Sequence, residues 1–190
     1  MFANIFSFLV SVATSFFVYL LLARFHFQWL RVSFRNPIGD FVIATTGWMV
    51  VPARRLIPPA GGLDLASLLL AWAIQLLAEF ALFSIQGHEL GSAPGAAVAL
   101  FAVLALMELV RFSLHILVFA VVVQAVLSWV NPHTPIGPVL DQVTRRFLRP
   151  IQRVLPLLGN VDLSPLVLLV LLQVLLLVLD AAEGRVAVLF

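Results

Sequence analysis

Residues 148–165 read Leu-Arg-Pro-Ile-Gln-Arg-Val-Leu-Pro-Leu-Leu-Gly-Asn-Val-Asp-Leu-Ser-Pro, a polar, proline-rich island in a very apolar chain. A shift of 98 positions lays this island on residues 50–67 without a gap. Pro52 falls on Pro150, Arg55 on Arg153, Pro58 on Pro156, Gly61 on Gly159 and Asp64 on Asp162. The same shift carries Pro37-Ile38-Gly39 onto Pro135-Ile136-Gly137, and Gln75 onto Gln173. The chain therefore reads as two tandem repeats, residues 1–95 and 96–190, each organised around one island.

Composition identifies the medium around them. The chain is 63% hydrophobic and 11% charged, whereas soluble domains carry about 25% charged residues. A chain of 190 residues cannot hide that much apolar surface in one aqueous core, so its solvent is lipid. Cysteine is absent, which excludes disulfides, thiol catalysis and thiolate metal sites.

Four apolar stretches are expected to cross the bilayer, at about 2–23, 63–83, 112–130 and 163–179. The first lacks a basic leader and a small-x-small cleavage site, so it reads as a retained span rather than a signal peptide. Its helix is expected to continue to Asn36-Pro37, with Arg24, Arg31 and Arg35 snorkelling to the interface and Trp29 at headgroup level. Residues 96–130 hold neither proline nor glycine and as one helix overshoot a bilayer. Residues 96–111 are therefore read as an extension or a separate interfacial helix. The fold class is an all-α membrane protein of two parallel repeats. Each repeat has a transmembrane helix, an interfacial amphipathic helix with a Pro/Gly elbow (36–62 and 131–162), and a second transmembrane helix.

All eleven basic residues are arginines. Arg24, Arg31, Arg35, Arg54 and Arg55 follow the first span; Arg145, Arg146, Arg149 and Arg153 follow the third. Arginine bias places these loops in the cytoplasm and both termini in the periplasm of a bacterial inner membrane. In the second elbow, Leu140, Val143, Phe147, Ile151 and Val154 share one helical face, opposite Arg145, Arg149 and Arg153. Such a face suits an anionic leaflet or a partner protein, and it also satisfies the topology rule alone. Pro150 is expected to split it into helices at 138–149 and 150–155.

Asp64 and Asp162 precede apolar spans, where a carboxylate caps the helix start. Ser164 and Pro165 follow in the first turn. Pairing of either aspartate with Arg55 or Arg153 stays open. Arg24, Glu79, Glu108 and Arg111 are candidate polar sites at membrane depth, where charge is costly. His26, His88, His115 and His133 lack the spacing of metal ligands, so no cofactor is expected. No phosphate loop or hydrolase elbow is present, and the short basic segments do not point to nucleic acid.

The motifs Arg24…Gln28-Trp29…Phe34-Arg35-Asn36-Pro37, Pro52-Ala53-Arg54-Arg55-Leu56-Ile57-Pro58 and Asp64-Leu65-Ala66-Ser67 resemble those of the YggT (YlmG) family. So do Ser128-Trp129-Val130-Asn131-Pro132, Leu148-Arg149-Pro150-Ile151-Gln152-Arg153 and Asp162-Leu163-Ser164-Pro165. Gln152 stands where family members often have a second arginine. The resemblance implies a small multi-span membrane protein tied to osmotic or ion tolerance, cell-division gene neighbourhoods, and plastid haem attachment or nucleoid organisation. It favours a non-enzymatic scaffold or assembly factor with lipid and unknown membrane-protein partners. The alternative is an ion-conducting or transport protein, for which four spans would need a homo-oligomer.

Overall fold

The computed structural model describes residues 2–59, 61–87, 94–131, 134–155 and 162–189. Among them every regular element is helical: α1 (Phe2–Trp29), α2 (Pro37–Leu56), α3 (Leu65–Ile85), α4 (Pro94–Val130), α5 (Gly137–Val154) and α6 (Ser164–Leu189). Stretches Phe2–Trp29, Leu65–Ile85, Gly95–Ser128 and Ser164–Val186 are long and apolar enough to cross a bilayer. The protein is a multi-pass membrane protein. Large side chains such as Phe8, Leu77, Phe119 and Leu177 stand exposed on these helices, as lipid-facing surfaces require.

Helix α1 packs on α3 and α4 on α6, while contacts of α4 with α1 and α3 join the two pairs. Val18, Leu21, Leu22, Ala71 and Leu109 form the core between them. The shorter helices α2 and α5 lie at the arginine-rich end, α2 against α1 and α3, α5 against α4 and α6.

Local chemistry sets the helix starts. Asn36 is extended, and its side-chain Oδ1 accepts the Gly39 amide at 2.9 Å while Pro37 occupies the first turn. Gly39 is there because a Cβ would stand 2.3 Å from the Phe34 carbonyl oxygen. Gly61 and Gly62 have φ of 61° and 79° between α2 and α3, a region open to glycine at little cost.

Several expectations change. Pro150 does not split α5, which runs unbroken over Gly137–Val154 with Pro150 inside it. Pro52 likewise lies inside α2, where a turn region is expected. A proline deletes one amide donor, here the partner of the Arg146 or Trp48 carbonyl. The next turn still closes, with Leu155 N–H on Ile151 O and Ile57 N–H on Ala53 O, both at 2.9 Å. Of the two alternatives for 96–111, the extension holds and the separate helix does not: Pro94–Val130 is a single helix of 37 residues, about 56 Å long at 1.5 Å per residue. Helix α6 runs past 179 to Leu189 and carries Asp180, Glu183 and Arg185 with it. Finally, α1 ends at Trp29, with Arg31 at a φ of 56°, and Arg24 does not snorkel outward.

Candidate functional site

Arg24 turns inward because a counter-charge waits there. It is 6% exposed, its Nη1 donates to Thr46 Oγ1 at 3.0 Å, and its Nε lies 3.4 Å from Asp64 Oδ2. Asp64 is fully buried. Its Oδ2 also accepts Arg54 Nη2 at 2.6 Å and Ser67 Oγ at 2.7 Å, and its Oδ1 receives the Ser67 amide at 3.4 Å. One carboxylate thus caps α3 and ties it to α1 and α2. Thr46 donates to the Val42 carbonyl at 2.6 Å, and Arg54 reaches Gln28 Oε1 at 3.4 Å. Burial pushes the Asp64 carboxyl up, but hydrogen bonds from Arg54 and Ser67 and the Arg54 charge outweigh it, holding the group below the usual carboxylate range. Of the adjacent pair Arg54 and Arg55, it is Arg54 that joins Arg24 on Asp64, and Arg55 is exposed.

Asp162, 98 positions after Asp64, is a carboxylate held by neutral donors. Asp162 is exposed. Its Oδ1 accepts the Ser164 amide at 2.8 Å, and its Oδ2 accepts Gln152 Nε2 at 2.9 Å. Burial works upward on this carboxyl too, and the hydrogen bonds from Ser164 and Gln152 win, lowering it. Gln152 lies 98 positions after Arg54, and the fully buried Thr144 lies 98 after Thr46. Thr144 donates to the Leu140 carbonyl at 2.9 Å and also meets Gln124. The sequence marks Arg54 only as a topology and motif arginine and does not single out Thr46 or Thr144; the 98-residue offset held the signal for the threonines. Pro156 lies outside the described residues, and Pro58 and Arg153 are exposed near the ends of α2 and α5.

Helix α5 buries Val139, Leu140, Val143 and Leu148 and presents Arg145, Arg146, Arg149 and Arg153 outward. Phe147 and Ile151 pack on the cluster of Leu117, Val121, Leu168 and Leu172. Arg145 pairs with Asp141. Arg146 lies over the Trp29 ring, 5.0 Å from its centroid. Arg146, Arg149 and Arg153 have no ion pair among the described residues. With Leu30, Gln142 and Pro150, the four arginines line a polar pocket of about 430 Å³.

At the opposite end, Arg111 gathers carboxylates from two helices. It pairs with Glu108 on α4, with Asp180 of α6 at 2.8 Å, and with Glu183 of α6. Glu79 on α3 accepts Gln75 Nε2 at 2.9 Å and lies in electrostatic reach of Glu183 and Arg111. His115 meets the Tyr19 hydroxyl at 3.2 Å, and His26 Nδ1 donates to the Leu22 carbonyl at 2.7 Å. His88 and His133 lie outside the described residues. Among the described residues no three His, Cys, Asp or Glu side chains gather as a metal site.

The family model described as CCB3/YggT matches residues 3–85 and 103–182. The Escherichia coli K12 protein YggT is 33% identical over 172 residues, covering 90% of this chain and 87% of that protein. A Vibrio alginolyticus protein described by its place in the proC 3′ region is 34% identical over 171 residues, 90% of each chain. A Pseudomonas aeruginosa relative is 32% identical over 154 residues, 80% of this chain and 76% of its own. All three are described as uncharacterised, and none carries an enzymatic description. No solved structure matches.

Proposed function

The chain belongs to the CCB3/YggT family, and from that premise we propose that it is a non-enzymatic scaffold or assembly factor of the bacterial inner membrane. Its arginine-rich end faces the cytoplasm, and α5 is the surface on which a partner docks. The observation that carries this reading is the arginine face of α5, mounted on buried residues on its other side yet, among the described residues, left without carboxylate partners at Arg146, Arg149 and Arg153. A charge array built only to set topology needs no such mounting. The orientation rests on nine of the eleven arginines lying in the two segments that follow the first and third spans, which puts both termini in the periplasm. The tandem reading is supported by the order in α1–α3 and again in α4–α6: a helix apolar enough to span, one that is not, then another that is. It is also supported by the 98-residue offset between Asp64 and Asp162.

Photo-crosslinking in native membranes tests the docking surface. With a crosslinking residue at Val154 of the full chain, discrete protein adducts are expected. They should vanish when Arg145, Arg149 and Arg153 are replaced by glutamate. Adducts that survive this charge reversal would remove α5 as the docking surface.

A second reading, ion movement in osmotic or ion tolerance, is favoured by one observation. Arg111 is surrounded by Glu108, Asp180 and Glu183, with Glu79 nearby, an excess of negative charge near membrane depth. Purified protein in liposomes should then conduct a cation flux that Glu79→Gln or Glu108→Gln abolishes; absence of flux rejects it.

A further inference from the structure

The arginine pocket on α5 does not stand alone. Leu30 lines it and also lines an apolar groove of about 320 Å³ that descends between α1 and α4. Trp29 and Phe147 line the top of that groove, with ring centroids 6.5 Å apart. Leu22, Leu114 and Val110 continue it into the membrane-spanning part. Two polar side chains along it turn back to their own helices: His26 Nδ1 donates to the Leu22 carbonyl at 2.7 Å, and Ser113 Oγ donates to the Leu109 carbonyl at 2.8 Å. Below Trp29 and His26 the groove therefore offers mainly a wall of hydrocarbon, a poor host for ordered water.

We propose that these two spaces are one site for a single anionic phospholipid. Its phosphate headgroup lies among Arg146, Arg149 and Arg153, and an acyl chain lies in the groove between α1 and α4. Charge complementarity selects the head. Of the four guanidinium groups lining the pocket, only Arg145 is offset by a carboxylate among the described residues, Asp141, and guanidinium forks match phosphate oxygens. Continuity selects the amphiphile. A soluble phosphate would leave the groove unused, and a peptide or nucleic acid would leave the hydrocarbon wall facing polar groups. Trp29 marks the level at which head gives way to tail, as aromatic side chains do at the membrane interface. Arg146 stacked over its ring at 5.0 Å joins the two halves of the site.

This proposal rests on the reading above that the α5 face is a docking surface at the membrane. The test uses the full chain in nanodiscs of equal phosphatidylglycerol and phosphatidylethanolamine, released for native mass spectrometry. One phosphatidylglycerol retained per protomer, in preference to phosphatidylethanolamine, is the expected result. Arg146→Gln with Arg149→Gln should weaken retention about thirtyfold, from the usual contribution of two surface basic residues. Val110→Trp fills the groove from an exposed position (46%) while sparing every arginine, and should weaken retention as well. Unaltered helix content, and Arg146→Lys retaining more lipid than Arg146→Gln, would separate binding from folding. Equal retention of the two lipids would overturn the proposal. So would loss in the arginine variants with none in Val110→Trp, which means head-only attraction. Protein adducts at Val154 without lipid selectivity would sink this site but leave the docking reading standing; selective lipid retention without protein adducts would do the reverse.

Discussion

Replacing Asp64 with asparagine removes one charge and turns one of its two acceptor oxygens into an amide donor, with little change in shape. Asparagine is as good an N-cap as aspartate, so the start of α3 keeps its Ser67 contact. What is lost is the counter-charge to two arginines. Arg24 has a side chain 7% exposed and Asp64 one 1% exposed, so Arg24 would be left with only the Thr46 hydroxyl, beside a second cation. Breaking a buried pair costs about 3–5 kcal/mol. Arg54 is 36% exposed and can turn to water, which places the expected loss near the lower figure, about 3 kcal/mol. Asp64→Ala should lose about 1 kcal/mol more, the worth of the cap. Asp162→Asn is the internal control: an exposed carboxylate with neutral partners should lose about 1 kcal/mol or less. Unfolding in mixed micelles titrated with dodecyl sulfate and followed by tryptophan fluorescence would measure all three. The pH dependence adds an independent check. Because the folded Asp64 pKa lies below its unfolded value, its stabilisation is fully present above about pH 4. It is lost as pH falls through the folded value. The gap between wild type and Asp64→Asn should therefore be constant from pH 8 to 5 and close in stronger acid. A loss within 1 kcal/mol of zero at neutral pH, or one equal to that of Asp162→Asn, refutes the buried-latch reasoning.

Other substitutions probe the remaining devices by the same unfolding assay. Gly39→Ala should lose about 2 kcal/mol or more, since the new methyl meets Phe34 backbone atoms at 2.3–2.8 Å. Gly47→Ala on the same helix, with nothing within 4 Å, should be neutral or gain up to about 1 kcal/mol. Pro150→Ala restores the missing donor inside an unbroken α5 and should raise stability by about 1–3 kcal/mol; no gain would mean that the chain breaks there. Gln152→Arg places on Asp162 the partner that Asp64 has in Arg54, and should add at most about 1 kcal/mol because that site is exposed.

The islands at 50–67 and 148–165 were legible because helix-breaking residues, acidic caps and arginines stand out against apolar spans. Reading their prolines as breaks failed at Pro52 and Pro150, since one missing donor near a helix end need not stop a helix whose next turn still closes. Residues 96–130 were ambiguous for a related reason: composition sets how much of a helix is apolar, while packing against α3 and α6 decides whether it stays whole. Arg24 is the sharpest case. An arginine at the end of a span is assigned to the interface by its solvation cost, and nothing local reveals a carboxylate 40 positions away. Arg54 and Arg55 are adjacent and alike on the page, yet the turn of α2 sends one to Asp64 and the other outward.

Sequence alone determined that this chain lives in lipid, that it crosses repeatedly by helices, which segments carry the arginines, and which family it resembles. These follow from composition, run length and motif spacing, properties each residue carries wherever the chain goes. Tertiary structure decided which arginines Asp64 holds, that Arg111 gathers Glu108, Asp180 and Glu183, and that Leu30 lines both the α5 arginine pocket and a groove between α1 and α4. Those are meetings between helices distant in sequence. The energy of a charge at such a meeting depends on what the fold brings within about 4 Å.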